Sequence, residues 1–182
     1  LFVDGNHENF NKLNSYPMEV WNGGYVHKLR HNLIHLMRGE IYIIEGKTFF
    51  TFGGGYSIDK PFRKENVSWW PAEMPNTKEY ENGLQHLSNR DHVDYIITHT
   101  APDETVYFLS TIKQFHIKGD VYQEMPLTTY LNDIQKNTNY THWYFGHFHV
   151  DKELWRNQTA VFNTLYELES HQIIRQWNTY EG

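Results

Sequence analysis

Apolar residues in this chain gather in short runs that stop at glycine, asparagine or histidine, a pattern that predicts strands with function-bearing exits rather than long helices. The clearest case is residues 40–45 and 48–52, rich in β-branched and aromatic side chains around Gly46. They predict a hairpin whose second strand leaves through Gly53-Gly54-Gly55. That triplet lacks the spacing of a phosphate loop and reads as a flexible strand exit. Residues 77–90 place Tyr80, Leu84 and Leu87 on one face of a helix, which leads through Asp91 into a strand at 93–98. A second helix is predicted near 127–136, and short strands at 152–155, 159–162 and 172–177. Residues 9–15 predict a helical turn or two stopped by Pro17, with Trp21-Asn22-Gly23-Gly24 as a loop.

Three stretches read less simply. Val26, Leu29, Leu33, Leu36 and Met37 have helical spacing, which would stack His27, His31 and His35 in a stripe. Equally, residues 33–37 form a short buried strand, the preferred reading because a hairpin follows. On either reading the three histidines are a mix of exposed and core-satisfied residues. Residues 56–75 turn polar, with three prolines and the Trp69-Trp70 pair, and are expected to make an irregular surface excursion that walls a pocket. After the turn Thr100-Ala101-Pro102, nothing can be assigned until Met125. The elements add up to an α+β class in one domain spanning residues 1–182.

Charge and composition narrow the chemistry. With 16 Lys and Arg against 22 Asp and Glu, the net charge of -6 offers no basic surplus, so bulk nucleic-acid binding is unlikely. There is no cysteine, which excludes disulfides and thiolate metal sites and leaves His, Asn and carboxylates as ligands. No apolar run is long enough to span a bilayer or serve as a signal peptide, so no membrane partner and a cytoplasmic location are expected. The Asn-x-Ser/Thr sites at Asn66, Asn139 and Asn157 would matter only in a secreted chain. A buried-type run, Leu1-Phe2-Val3, immediately before a motif suggests that the sequence begins in mid-domain.

Three apolar runs deliver candidate ligands at their ends: Leu1-Phe2-Val3 into Asp4-Gly5-Asn6-His7-Glu8, Ile96-Ile97-Thr98 into His99, and Thr141 to Phe145 into Gly146-His147-Phe148-His149. Neutral imidazoles and an amide carbonyl suit a first-row divalent metal, and three strand ends at one sheet edge would assemble a single site. The His7-Glu8 pair does not begin a zinc-protease HExxH helix, since position 11 is Asn. Glu8 reads as a helix-start residue facing the dipole. The aromatic residues, Trp69-Trp70 included, read as core and surface rather than a base-stacking platform.

Gly5-Asn6-His7-Glu8, the strand-terminal His99 and Gly146-His147-Phe148-His149, in that order, resemble the calcineurin-like metallophosphoesterase family from residue 1 to about 150. The resemblance implies an α+β, four-layer α/β/β/α sandwich that lacks its amino-terminal strand-helix segment. It further implies two divalent metal ions (Mn, Fe, Zn or Ni), Asn6, His99 and His147 on one and His149 on the other, with His7 assisting the leaving group. A phosphate-ester substrate follows, either a small molecule or a phosphoprotein. Glu8, where the pattern also admits Asp, resembles the protein serine/threonine phosphatase branch. The family's two earlier motifs, Asp-x-His and Gly-Asp-x-x-Asp, are absent. Asp4, Asp103, Asp120 and Asp151 stand in neither context, and Gly119-Asp120 comes after the motif it should precede. The expectation is therefore a phosphoesterase incomplete in this chain and weak or inactive by itself. The rival is a metal-binding or structural remnant without turnover.

Overall fold

The computed structural model describes residues 1–112 and 123–177. The chain enters beside residues 34–36, where Phe2 bridges His35 in parallel, and then makes a one-turn helix, α1 (Phe10–Leu13), whose Asn9 side chain accepts the Lys12 N–H. Three antiparallel strands follow: β1 (Met18–Trp21), β2 (Gly24–Arg30) and β3 (Leu33–Leu36). The hairpin β4 (Glu40–Ile44) and β5 (Lys47–Phe52) leads through a long irregular stretch with two 3-10 turns to α2 (Thr77–Ser88) and β6 (His92–Thr98). Next come α3 (Asp103–Thr111), α4 (Met125–Asn137) and β7 (Asn139–Phe145). The short strands β8 (Lys152–Leu154), β9 (Gln158–Ala160), β10 (Thr164–Tyr166) and β11 (Ile173–Gln176) close the described fold. The class is mixed α+β.

A six-stranded sheet in the order β4-β5-β6-β7-β9-β8 forms the middle layer. Its β5, β6, β7 and β9 run parallel, while β4 and β8 pair antiparallel at the edges. Alternation sorts the side chains, because successive residues of a strand face opposite ways. Phe50, Phe52, Ile96, Trp143 and Phe145 turn to the side of Leu87, Leu109, Leu127, Leu131 and Ile134, which belong to α2, α3 and α4. Tyr42, Phe49, Tyr95 and Tyr144 turn to the opposite side, against Val26 and Leu36 of the three-stranded sheet and Tyr166 of the β10-β11 ribbon. The fully buried Trp143 has its one polar atom satisfied, since Nε1 donates to Thr98 Oγ1 at 2.8 Å.

The hairpin, the irregular stretch and the helices at 77–88 and 125–137 fall where periodicity puts them. Between residues 18 and 36 the strand reading holds and extends further than expected: Asn22 (φ 49°) and Gly23 (φ 98°) form a tight hairpin turn, not an open loop. His27 and His35 are therefore paired across β2 and β3, both buried, with Nδ1 atoms 3.1 Å apart, and His31 is exposed. The expected apolar face of α2 is corrected at Leu84, which is half exposed at 50%. Gly83 takes the inward position, where a Cβ would stand 3.3 Å from Gly39 Cα and collide with the Tyr130 hydroxyl. The helix comes too close to the chain for leucine there. Helix α3 and strands β1, β2 and β10 were not foreseen, and Leu1-Phe2-Val3 makes a single bridge rather than a strand. Gly53, Gly54 and Gly55 are buried and packed, not a flexible exit. Gly119-Asp120 lies outside the described residues. Among the described residues no helix is long and apolar enough to cross a membrane.

Candidate metal centre

Register decides which residues meet. Phe52, Thr98, Phe145 and Ala160 occupy one row across β5, β6, β7 and β9, so His99 and Gly146 leave the sheet side by side. The Gly146 N–H donates to the His99 carbonyl at 3.0 Å. Carboxyl ends of parallel strands gather loops into a crevice, and here that edge also receives the Asp4–His7 segment, held by Gly54 N–H donating to the Asp4 carbonyl at 2.9 Å. Two glycines make the approach possible. A Cβ on Gly5 would stand 2.6 Å from His99 Cε1, and one on Gly55 would stand 3.0 Å from His99 Cδ2.

Asn6, His99 and His147 come together. His99 Nε2 lies 3.1 Å from Asn6 Oδ1 and 3.1 Å from His147 Nδ1. The amide of Asn6 is oriented from behind, as Nδ2 donates to Ser57 Oγ at 3.1 Å while Ser57 Oγ donates to Glu73 Oε2 at 2.7 Å. Glu73, fully buried, also accepts the Ser57 N–H at 2.9 Å and pairs with Lys60 at 2.7 Å. His7 Nε2 is 3.4 Å from Asn6 Nδ2, and its ring is exposed. His149 is not drawn into the trio: it is exposed and its ring stacks on Phe162 at 4.9 Å. Both His147 (φ 66°) and His149 (φ 52°) hold the left-handed backbone region, strain of the kind that marks functional loops.

Burial sets the protonation state. It lowers His99 to about 4, with Asp4 opposing and His7 and His149 adding to the effect. It lowers His147 to about 3, reinforced by the other imidazoles. Both rings are neutral near pH 7, with lone pairs available to a metal. Beside them, burial pushes the Glu124 carboxyl up to about 7, against the Tyr56 N–H it accepts at 3.1 Å. Behind the Asn6 turn, burial works to raise Asp4, but the Arg38 charge and the His35 hydrogen bond outweigh it and hold the group at about 2. Glu8 is not at a helix start: its carboxylate accepts the Gly5 N–H at 2.8 Å and closes the turn.

These groups line a cavity of about 640 Å³, with Asn6, His7, His99, Glu124, His147 and His149 on its polar side. Tyr56, Ile58, Phe148 and Phe162 supply an apolar wall, so residues 56–75 do wall a pocket. Bonds of about 2.0–2.1 Å to N and O ligands separate adjacent donors by roughly 3.0–3.4 Å around one ion. The two 3.1 Å spacings at His99 Nε2 fit that requirement. Among the described residues no group of three or more His, Cys, Asp or Glu is placed to hold a metal, and the close trio is two imidazoles and an amide. Asp4 is spent on Arg38 and His35, Asp151 on the Phe162 and Asn163 N–H groups, and Asp103 begins α3. Asp120 lies outside the described residues.

Sequence reasoning missed Ser57, Glu73 and Glu124, which carry no motif and reach the site from positions 51 to 118 residues away from Asn6. Buried acids outside any helix face would have been the only signal, and burial is not visible in sequence. No protein-family model, curated protein or solved structure matches the chain.

Proposed function

We propose that this chain carries part of the active site of a metal-dependent phosphoesterase, of the calcineurin-like metallophosphoesterase type, that hydrolyses phosphate mono- or diesters. The helix and sheet layers would then be a portion of that family's four-layer sandwich. The observation that supports this most is the convergence of Asn6 Oδ1, His99 Nε2 and His147 Nδ1 at 3.1 Å spacings in a cavity that also holds His7. When bound, a divalent ion supplies Lewis acidity and lowers the pKa of its water. Asn6, His99 and His147 would hold it, and the Ser57–Glu73–Lys60 chain fixes the orientation of the Asn6 amide. His7, exposed beside Asn6, donates a proton to the departing ester oxygen as the P–O bond breaks. The apolar wall receives the leaving group. The second ion of the family pattern needs carboxylates from the Asp-x-His and Gly-Asp-x-x-Asp motifs, which this sequence lacks, so turnover by these residues alone is weak or nil. A cytoplasmic setting belongs to the same proposal.

One observation favours a second reading, a metal-binding or structural remnant without turnover: His149 stacks on Phe162, and among the described residues no group of three or more His, Cys, Asp or Glu gathers beside it. Metal stoichiometry after equilibration with Mn or Zn tests the first claim, using the wild-type chain and His147→Ala. About one ion per chain, lost in the variant, supports the proposed site. No bound metal in the wild type overturns it, and two ions would overturn the assignment of missing ligands. Activity against aryl phosphates, assayed with a segment bearing the two absent motifs joined ahead of Leu1, separates enzyme from remnant.

A further inference from the structure

His147 is addressed on both ring nitrogens. Its Nδ1 faces His99 Nε2 at 3.1 Å, on the side of Asn6, while its Nε2 stands 3.6 Å from Glu124 Oε1. That second distance is a few tenths of an ångström beyond a hydrogen bond, so here the carboxyl faces the neutral ring nitrogen without bonding to it. A neutral imidazole has one N–H, and whichever nitrogen faces a carboxylate keeps it. Resting on the metal-site reading above, we propose that Glu124 is the positioning residue of the centre: it holds the proton of His147 on Nε2 and so presents the Nδ1 lone pair to the ion.

Glu124 is built for that role. Its side chain is buried, placed just before α4, and its Oε1 is tied down by the Tyr56 N–H at 3.1 Å. Gly55, the residue before Tyr56, lies by the same oxygen: a Cβ there would come within 3.4 Å of Oε1 and 3.0 Å of the His99 ring. One bare residue thus packs on the orienting acid and on a ligand together. His147, at a left-handed φ of 66°, has its ring facing Glu124 and His99 at once. Substrate need not touch the acid for this, since it acts through the His147 ring.

The test uses the 182-residue chain, metal-free and at pH 8, with the His147 tautomer read from long-range ¹⁵N–¹H NMR couplings. The wild type is expected to carry the proton on Nε2, Glu124→Ala to lose that preference, and Glu124→Gln to recover part of it through its carbonyl oxygen. Zn²⁺ titration then gives the consequence: a 10–100-fold weaker Kd in Glu124→Ala, partly restored in Glu124→Gln. A merely structural role would lower thermal stability and leave the tautomer alone. A wild-type His147 protonated on Nδ1, or a folded Glu124→Ala within twofold of wild-type affinity, overturns the proposal. If Glu124→Ala does not fold, the wild-type tautomer and Glu124→Gln decide it. A wild type that binds no Zn²⁺ defeats the metal site itself, while the tautomer still tests the Glu124 contact independently.

Discussion

Replacing Asp4 with Asn is the sharpest probe of how the Asn6 turn is held. Asp4 and Arg38 are 1% and 4% exposed, and Asp4 accepts from Arg38 Nε at 2.9 Å, from Arg38 Nη2 at 2.5 Å and from His35 at 2.9 Å. Breaking one partner of a buried, hydrogen-bonded ion pair costs about 3–5 kcal/mol. Arg38 would keep Glu79 at 3.3 Å and the carbonyls of Ala72 and Glu73, which places the loss at the low end, about 3 kcal/mol. An Asn amide cannot accept on both sides, so with its oxygen kept on Arg38 it turns its NH2 to His35 Nε2, which accepts only in the Nδ1–H tautomer. With a urea slope of about 2 kcal/mol/M, the midpoint falls by roughly 1.5 M, read by fluorescence of the six tryptophans. Arg38→Met should cost a similar amount, and the double variant clearly less than their sum, with a coupling of about 2 kcal/mol. A midpoint shift below about 0.5 M at unchanged slope, or strict additivity in the cycle, would refute the claim that this pair anchors the turn.

Two further outcomes follow from packing and from charge. Gly83→Ala forces a methyl into the Tyr130 hydroxyl and toward Phe50 and Gly39, and is expected to lower stability by about 1–3 kcal/mol by overpacking, whereas Leu84→Ala on the exposed neighbour should change it by less than about 0.5 kcal/mol in the same denaturation assay. His142, lowered to about 4 by burial and by His171, stays neutral in the fold while its unfolded counterpart, near 6.5, takes up a proton, so it subtracts stability as pH falls from 6.5 toward 4 and contributes no slope above 6.5. The slope is at most about 1.4 kcal/mol per pH unit, less after solvent screening because the ring is only half-buried, and His142→Gln should flatten that part of the acid limb; an unchanged limb rules the assignment out.

Local signals were enough for the parts of this protein whose causes are local. The β4–β5 hairpin, α2, β6 and α4 each follow from the spacing of their own apolar residues, and Asn6, His7, His99 and His147 could be picked out because each sits at the end of such a run or inside a short motif. Residues 18–36 were half legible. Asn22-Gly23 is a hairpin signal, but the competing 3.6-residue spacing of the apolar positions hid it until the pairing of β1, β2 and β3 chose between the two periods.

What the tertiary structure alone decided are the places where distant segments press together. Gly83 rather than Leu84 faces inward because the Gly39 backbone approaches α2, and the triple glycine is packed because Asp4, Glu73 and His99 lie on it. The side chains that steady the candidate site, Ser57, Glu73 and Glu124, owe their relevance to burial beside Asn6 and His147, which no neighbouring residue in sequence encodes. Likewise His149 shares a motif with His147 but turns onto Phe162, because two residues apart in a left-handed loop do not share a direction as they would on a strand. Sequence by itself determined which groups were available as candidate ligands; the common row of Phe52, Thr98, Phe145 and Ala160 across parallel strands determined which of them meet, because register is a property of pairing between segments and not of any one of them.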